Sequence, residues 1–366
     1  MKKVHITGPC PGRFGREVAS SSVLLLAGIA IALLTSCSGG SSGTGDYVYV
    51  AANEATLRDR VATIYNKTGQ VHNGERLQVL ERMQNKRFVR VRTPQGQEGW
   101  LQERYLADQQ TFDEFQSMAE QCKNAPSQGS ATVEQQVKVH VEPGRKTGFL
   151  YILDEKQKVE LLERRPIDRN APVLTARDDK SKDTDDSSDD ETPGSSQPAI
   201  WEDWWLVRDQ QRRAGWVLGR ALYLDVPEDV AQYAEGQRIV AAFPLDEVED
   251  QGKKVGEYLL LFTEPKDGAS YDFDQIRVFS WNMRRHRYET AYRERNLEGK
   301  LPVVLGSQEF DKEGTLRTFA LHLKEEGGEM REQVYKFKSP MVHKVYAPGQ
   351  GPVKARSKSK RRHSKS

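Results

Sequence analysis

The residues able to do chemistry in this 366-residue chain are few and dispersed. Its seven histidines are His5, His72, His140, His286, His322, His343 and His363, and none forms His-Glu-x-x-His or another metal-ligating spacing. There is no Gly-x-Ser-x-Gly elbow and no phosphate-cradling Walker loop. Of three cysteines, Cys10, Cys37 and Cys122, only Cys122 lies in the body of the chain, with no histidine close in sequence. It reads as a small buried apolar residue rather than a nucleophile. No catalytic residue, metal site or cofactor is predicted. The densest cluster is 277–295, where Arg277, Arg284, Arg285, Arg287, Arg293 and Arg295 alternate with Phe279, Trp281, Tyr288 and Tyr292. In a hairpin turning at Asn282-Met283, Arg277, Arg284, Arg285 and Arg287 make a candidate patch for an anionic ligand. The competing reading, a core-facing aromatic stripe with a solvated basic rim, is favoured.

Composition narrows the classes further. Hydrophobic residues make up 37%, charged residues 30%, and the net charge is +2. That balance permits packed cores and argues against a nucleic-acid partner, which calls for a basic domain. Near the start, Lys2, Lys3, Arg13 and Arg16 accompany an apolar run over 23–34. Twelve residues are too few to span a bilayer, which takes about 20. The run ends in Leu34-Thr35-Ser36-Cys37, followed by Gly and Ser. This stretch resembles a bacterial lipobox. The resemblance implies a signal peptide over 1–36, lipidation of Cys37 and a flexible tether over 37–46. The protein is then exported and lipid-anchored at the cell envelope, on the periplasmic face of the outer membrane in a diderm host. With Cys10 removed and Cys37 lipidated, no pair remains for a disulfide.

The elements that position the remaining candidates come from an internal repeat. Gly215-Trp216 laid over Gly99-Trp100 sets Trp204 on Phe88, Val207 on Val91 and Leu222 on Leu106, an offset of 116 (216 − 100). Upstream, KVELLER (158–164) lies over RLQVLER (76–82) and Val139 over Leu57, an offset of 82 (158 − 76). The second copy therefore holds an insertion of 34 residues (116 − 82), as expected of one domain present twice. In the first copy Leu77 and Val79, Val89 and Val91, and Leu101 alternate inward, with a tight turn at Pro94-Gln95-Gly96. Short strands, tight turns and about 60 residues indicate a small antiparallel barrel.

Leu57-Arg58, a long loop, Gly74-Glu75-Arg76-Leu77, Gly99-Trp100 and Arg104-Tyr105-Leu106 together resemble a bacterial SH3 domain. The resemblance covers about 60 residues. It implies binding of cell-wall peptide or of an extended envelope-protein segment, in a groove between the long first loop and the next loop. On that basis Trp100, Tyr105 and Tyr65 line a shallow aromatic groove with Arg58 at its edge. For Trp100 the bland alternative is a wedge under the long loop, and the two readings are evenly balanced. The second copy departs from the pattern, with Lys156 for Gly74, Arg212 for Gly96 and Ala221 for Tyr105. Those departures bear on its binding more than on its fold.

The predicted organisation is mainly all-β. It comprises an SH3-like domain over 47–108, a helical spacer over 109–130 and a second SH3-like domain over 131–225. A short helix plus antiparallel β domain follows over 226–347. In the spacer, Phe112, Phe115, Met118, Ala119 and Cys122 share one helical face, with Thr111 as cap. The insertion in the second copy runs over 166–200. It carries eight acids against Lys180 and Lys182 in 178–191, and is expected to be a disordered acidic loop. Trp204 and Leu206 form an apolar outer face that needs a cover, the spacer helix or the last domain. A short helix starting at Pro227 precedes five or more strands, and 348–366 is a basic tail expected to be disordered. The function expected is non-catalytic binding or scaffolding in the envelope. An enzyme with SH3-like targeting modules, such as a cell-wall hydrolase, and an outer-membrane assembly factor remain open.

Overall fold

The computed structural model describes residues 46–84, 87–170, 199–311, 313–325 and 327–346. The signal peptide, Cys37, most of the acidic insertion and the basic tail lie outside these. The chain divides after Asp225 into two compact units. Both are built almost wholly of antiparallel strands joined by short helices.

The first unit opens with Tyr47–Val50 (β1), Glu54–Arg58 (β2), Lys67–His72 (β3), Arg76–Arg82 (β4), Phe88–Arg92 (β5), Glu98–Gln102 (β6) and Leu106–Asp108 (β7). A helix, Gln109–Gln121 (α1), leads to Ser130–Val133 (β8), Val137–His140 (β9), Phe149–Leu153 (β10), Lys158–Asp168 (β11), Trp201–Asp209 (β12), Ala214–Leu218 (β13) and Leu222–Leu224 (β14). The strand orders are β3-β2-β6-β5-β4-β1-β7 and β10-β9-β13-β12-β11-β8-β14, the same permutation written twice. Each forms an SH3-like barrel. The alternation in sequence is the alternation in space: Leu57, Leu77, Val89, Val91 and Leu101 are buried in the first core, Val139, Val159, Val207 and Val217 in the second. The tight turn after β5 keeps Gly96 at φ +86°. Lys156 and Arg212 hold the left-handed conformation at φ 69° and 65°, where the first copy has Gly74 and Gly96. The departures therefore leave the backbone path unchanged.

The two barrels share a core. Tyr49, Ala51 and Ala107 of the first pack with Phe115 of α1 and with Leu150 and Tyr151 of the second. Phe112 stacks on Tyr49 at 3.9 Å between centroids, and Asn73 donates to the carbonyl of Leu150 at 2.7 Å. The helix starts three residues before the expected point, and its cap is Asp108, not Thr111. The Asp108 carboxylate accepts from the backbone N–H of Thr111, whose own side chain is buried. The insertion also leaves the sheet later than expected. Pro166, Ile167 and Asp168 remain strand residues paired with Asp203, Glu202 and Trp201, and a buried Arg164–Asp203 ion pair at 2.8 Å sits beside them. The apolar outer face of β12 is covered by the spacer: Met118, Cys122 and Ala125 pack on Trp204, Leu206 and Trp216. Arg208, itself buried, donates to the carbonyls of Cys122, Lys123 and Ala125 and so holds the end of the helix on this face.

The second unit begins with a single helical turn, Glu228–Ala231 (α2), shorter than expected, and a 3-10 turn. Eight strands follow: Arg238–Asp250 (β15), Lys253–Thr263 (β16), Gln275–Asn282 (β17), Arg287–Glu294 (β18), Gly299–Phe310 (β19), Gly314–Lys324 (β20), Met330–Lys338 (β21) and Met341–Val345 (β22). They make two four-stranded meanders, β15 to β18 and β19 to β22, each in sequence order. Sequence periodicity shows five of these strands and misses β15, β19 and β22. Of the three, β15 and β19 contain Pro244 and Pro302 and are edge strands, where a missing N–H breaks no ladder bond. Glu257 of β16 accepts from Ser339 Oγ (2.7 Å), and Glu294 of β18 from Tyr335 Oη (3.0 Å), so the meanders are stitched by partly buried hydrogen bonds.

Candidate functional site

In the first barrel, Arg58 closes β2 directly opposite Trp100 of β6, and Trp100 stands opposite Arg90 of β5. Residues paired across antiparallel strands project to one face, so the three form a row on the outside of the barrel. Gly99 is what lets the strands close up there, since a Cβ would lie 2.8 Å from that of Leu57. Tyr65 reaches this row from the long loop. The Arg58 guanidinium lies 4.0 Å from the Tyr65 ring centroid and 5.8 Å from that of Phe88. The loop is pinned at its base: Asp59 accepts from the backbone N–H of Asn66 (2.8 Å) and from its side-chain amide (2.9 Å). These bonds, with Arg60, hold the Asp59 carboxyl down at about 2, so the clamp stays ionised. Arg90 and Arg92 both donate to Glu98, whose carboxyl Arg92 chiefly holds below the usual range. The result is an open face of half-buried rings, Phe88 and Trp100, beside exposed Tyr65, with cations on both sides of the indole.

Arg58, Tyr65 and Trp100 are thus brought together as the sequence suggests. Tyr105 is engaged differently. Its ring packs on the barrel core, Arg104 lies over it at 4.8 Å and donates to its hydroxyl at 2.8 Å. Phe88 and Arg90 complete the face without having been singled out. The signal was present in their outward phase, opposite Val89 and Val91.

The same row exists in the second barrel as His140, Trp216 and Leu206, and it is closed. Trp216, Leu206 and Trp204 are 4%, 2% and 1% exposed. Thr147 replaces Tyr65, and its hydroxyl meets Nδ1 of His140 at 3.1 Å. Burial pushes the His140 imidazole down to about 4. Arg165 lies 4.5 Å over Trp216 from the outside.

The arginine cluster of the last domain does not form one patch. Arg277 is 2% exposed and donates to the carbonyl of Tyr233 (2.8 Å) and to Glu235 (2.9 Å), which corrects its assignment to an accessible anion site. Its position on β17 points inward because Phe262 and the turn after α2 cover it. Arg285 and Arg287 share Glu289, and Arg284 is exposed on the hairpin tip. Phe279 and Tyr288 are core, as the competing reading had it. Cys122 is buried and in no disulfide. Among the described residues no three potential metal ligands come together, and no helix is long and apolar enough to cross a membrane.

No curated protein matches the chain. Among solved structures it is similar to NlpC2 from Trichomonas vaginalis (12% identity, TM-score 0.16, covering 53% of this chain and 56% of that one). NlpC1 from the same organism gives 11% identity and TM-score 0.16, covering 54% and 53%. An NlpC/P60 family protein from Bacillus cereus ATCC 10987 gives 12% and 0.21, covering 53% and 64%. The chain thus spans less than two thirds of the length of each. Residues 53–107, which hold Arg58, Tyr65, Phe88, Arg90 and Trp100, match the bacterial SH3 domain family, and the chain therefore carries a bacterial SH3 domain.

Proposed function

We propose that this is a non-catalytic, exported lipoprotein that holds cell-wall peptide on the outer face of its first barrel. The observation carrying the reading is the row Arg58–Trp100–Arg90 with Tyr65 and Phe88 beside it, open on the first barrel and filled by the protein's own side chains on the second. The presence of a bacterial SH3 domain supports cell-wall binding in general. The face adds a chemistry. Planar rings take the apolar stems of an extended peptide at little entropic cost, and guanidinium groups take its carboxylates. The motif at Leu34-Thr35-Ser36-Cys37 supports a lipid anchor at Cys37, which sets the barrel close to a membrane and within reach of the wall.

One experiment separates this reading from a hydrolase. Purified sacculi are incubated with the protein, the pellet is assayed for bound protein and the supernatant for released muropeptides. Binding without release is expected. Muropeptide release above the no-protein control, or no protein in the pellet, overturns the proposal.

A further inference from the structure

Apart from the barrels, the last domain has a cleft of about 590 Å³ at one end of the first meander. It lies where β16 ends, β17 begins and β18 ends, and its lining includes Glu264, Asp274, Arg293 and Arg295. Both signs of charge therefore face one space. Arg293 reaches Glu235 at 3.6 Å, but among the described residues Glu264, Asp274 and Arg295 have no ion-pair partner. Arg293 and Arg295 both donate to Oε1 of Gln275, at 3.3 and 2.9 Å. Gln275 is 2% exposed and is fixed in turn by a bond to Gln237 at 2.8 Å. That buried amide holds both guanidinium stems in place and leaves the outer N–H groups of Arg295 unused. On the acidic side, the Asp274 carboxylate accepts from backbone N–H groups, that of Glu264 at a long 3.3 Å and its own, and, among the described residues, from no cation. Burial, with Glu264 alongside, pushes the Asp274 carboxyl above its usual range, the behaviour of a carboxylate without a cation.

We infer that this cleft binds a small zwitterion, a free amino acid or the unblocked dipeptide end of a peptide, with its ammonium on Asp274 and Glu264 and its carboxylate on Arg295. Opposite charges that line one cleft without pairing are bridged by a ligand that carries both, and a cleft of about 590 Å³ has room for one of amino-acid to dipeptide size. The inference is independent of the first barrel.

The test titrates the full chain with L-alanyl-L-alanine, its N-acetyl derivative and its amide, by calorimetry. The free dipeptide is expected to bind in about the millimolar range. Blocking either end should weaken it about tenfold or more, as loss of a charge-assisted bond does. Asp274→Asn should bind the free and N-acetyl forms equally weakly, and Arg295→Gln the free and amide forms equally weakly, with melting temperatures unchanged. No binding of the free dipeptide, equal binding of all three by the wild type, or variants that bind like the wild type would overturn the inference.

Discussion

Trp100 and Trp216 occupy one ladder position in two barrels, each opposite the last residue of its second strand, yet Trp100 is half-buried on an open face and Trp216 is only 4% exposed. The difference lies in the neighbours. Arg90 and Phe88 flank Trp100, whereas Leu206 and Trp204 flank Trp216 and attract the apolar end of the spacer helix. Trp216→Ala should therefore cost about 3–5 kcal/mol of unfolding free energy, the usual toll of emptying a buried indole site. Trp100→Ala should cost about 1 kcal/mol or less. Urea unfolding of both variants measures this, and equal losses would contradict the assignment of one face as open.

His140 makes the second barrel sensitive to acid. Its folded value of about 4 is depressed by burial from an unfolded value of about 6.5. As pH falls, the unfolded chain takes up the proton first, so the contribution is whole above about 6.5 and is lost between there and about 4, amounting to at most about 3 kcal/mol. Stability measured at steps from pH 7 to pH 4 should fall in that window. In His140→Gln the slope should be much shallower, and an unchanged slope would refute the burial argument.

Lys156 and Arg212 keep left-handed backbone that their side chains disfavour. Lys156→Gly and Arg212→Gly should each stabilise the protein by about 1 kcal/mol, since glycine enters this region without the Cβ clash and the gain exceeds its extra unfolded entropy. Thermal melts would show a higher midpoint for each. A lower midpoint would mean that the side chains contribute more than the strain costs.

Much of this was legible in the sequence because the barrel repeats itself. The offsets that place Trp216 on Trp100 and Val139 on Leu57 predict which residues pair, and the register follows them. The buried alternation of Val89, Val91 and Leu101 was legible for the same reason. What escaped was whatever depends on partners distant in the chain. The cap at Asp108 was passed over for Thr111, three residues on, although Asp caps better than Thr; the structure buries the Thr111 side chain against the second barrel and leaves the cap to Asp108. Pro244 and Pro302 concealed two edge strands, because a proline signals a break unless the strand's free side is known. Arg277 read as surface because a charged residue in a strand usually is, and only the fold shows Glu235 and the Tyr233 carbonyl waiting for it.

The proposal that cell-wall peptide is held by the row on the first barrel is tested by the dissociation constant for purified sacculi of the wild type, Arg58→Ala with Tyr65→Ala, and Trp100→Ala. A loss of about 1–3 kcal/mol in binding is predicted for the double variant and for Trp100→Ala, with melting temperatures nearly unchanged, as for anchors at the centre of an interface. Wild-type affinity in both variants would contradict the account.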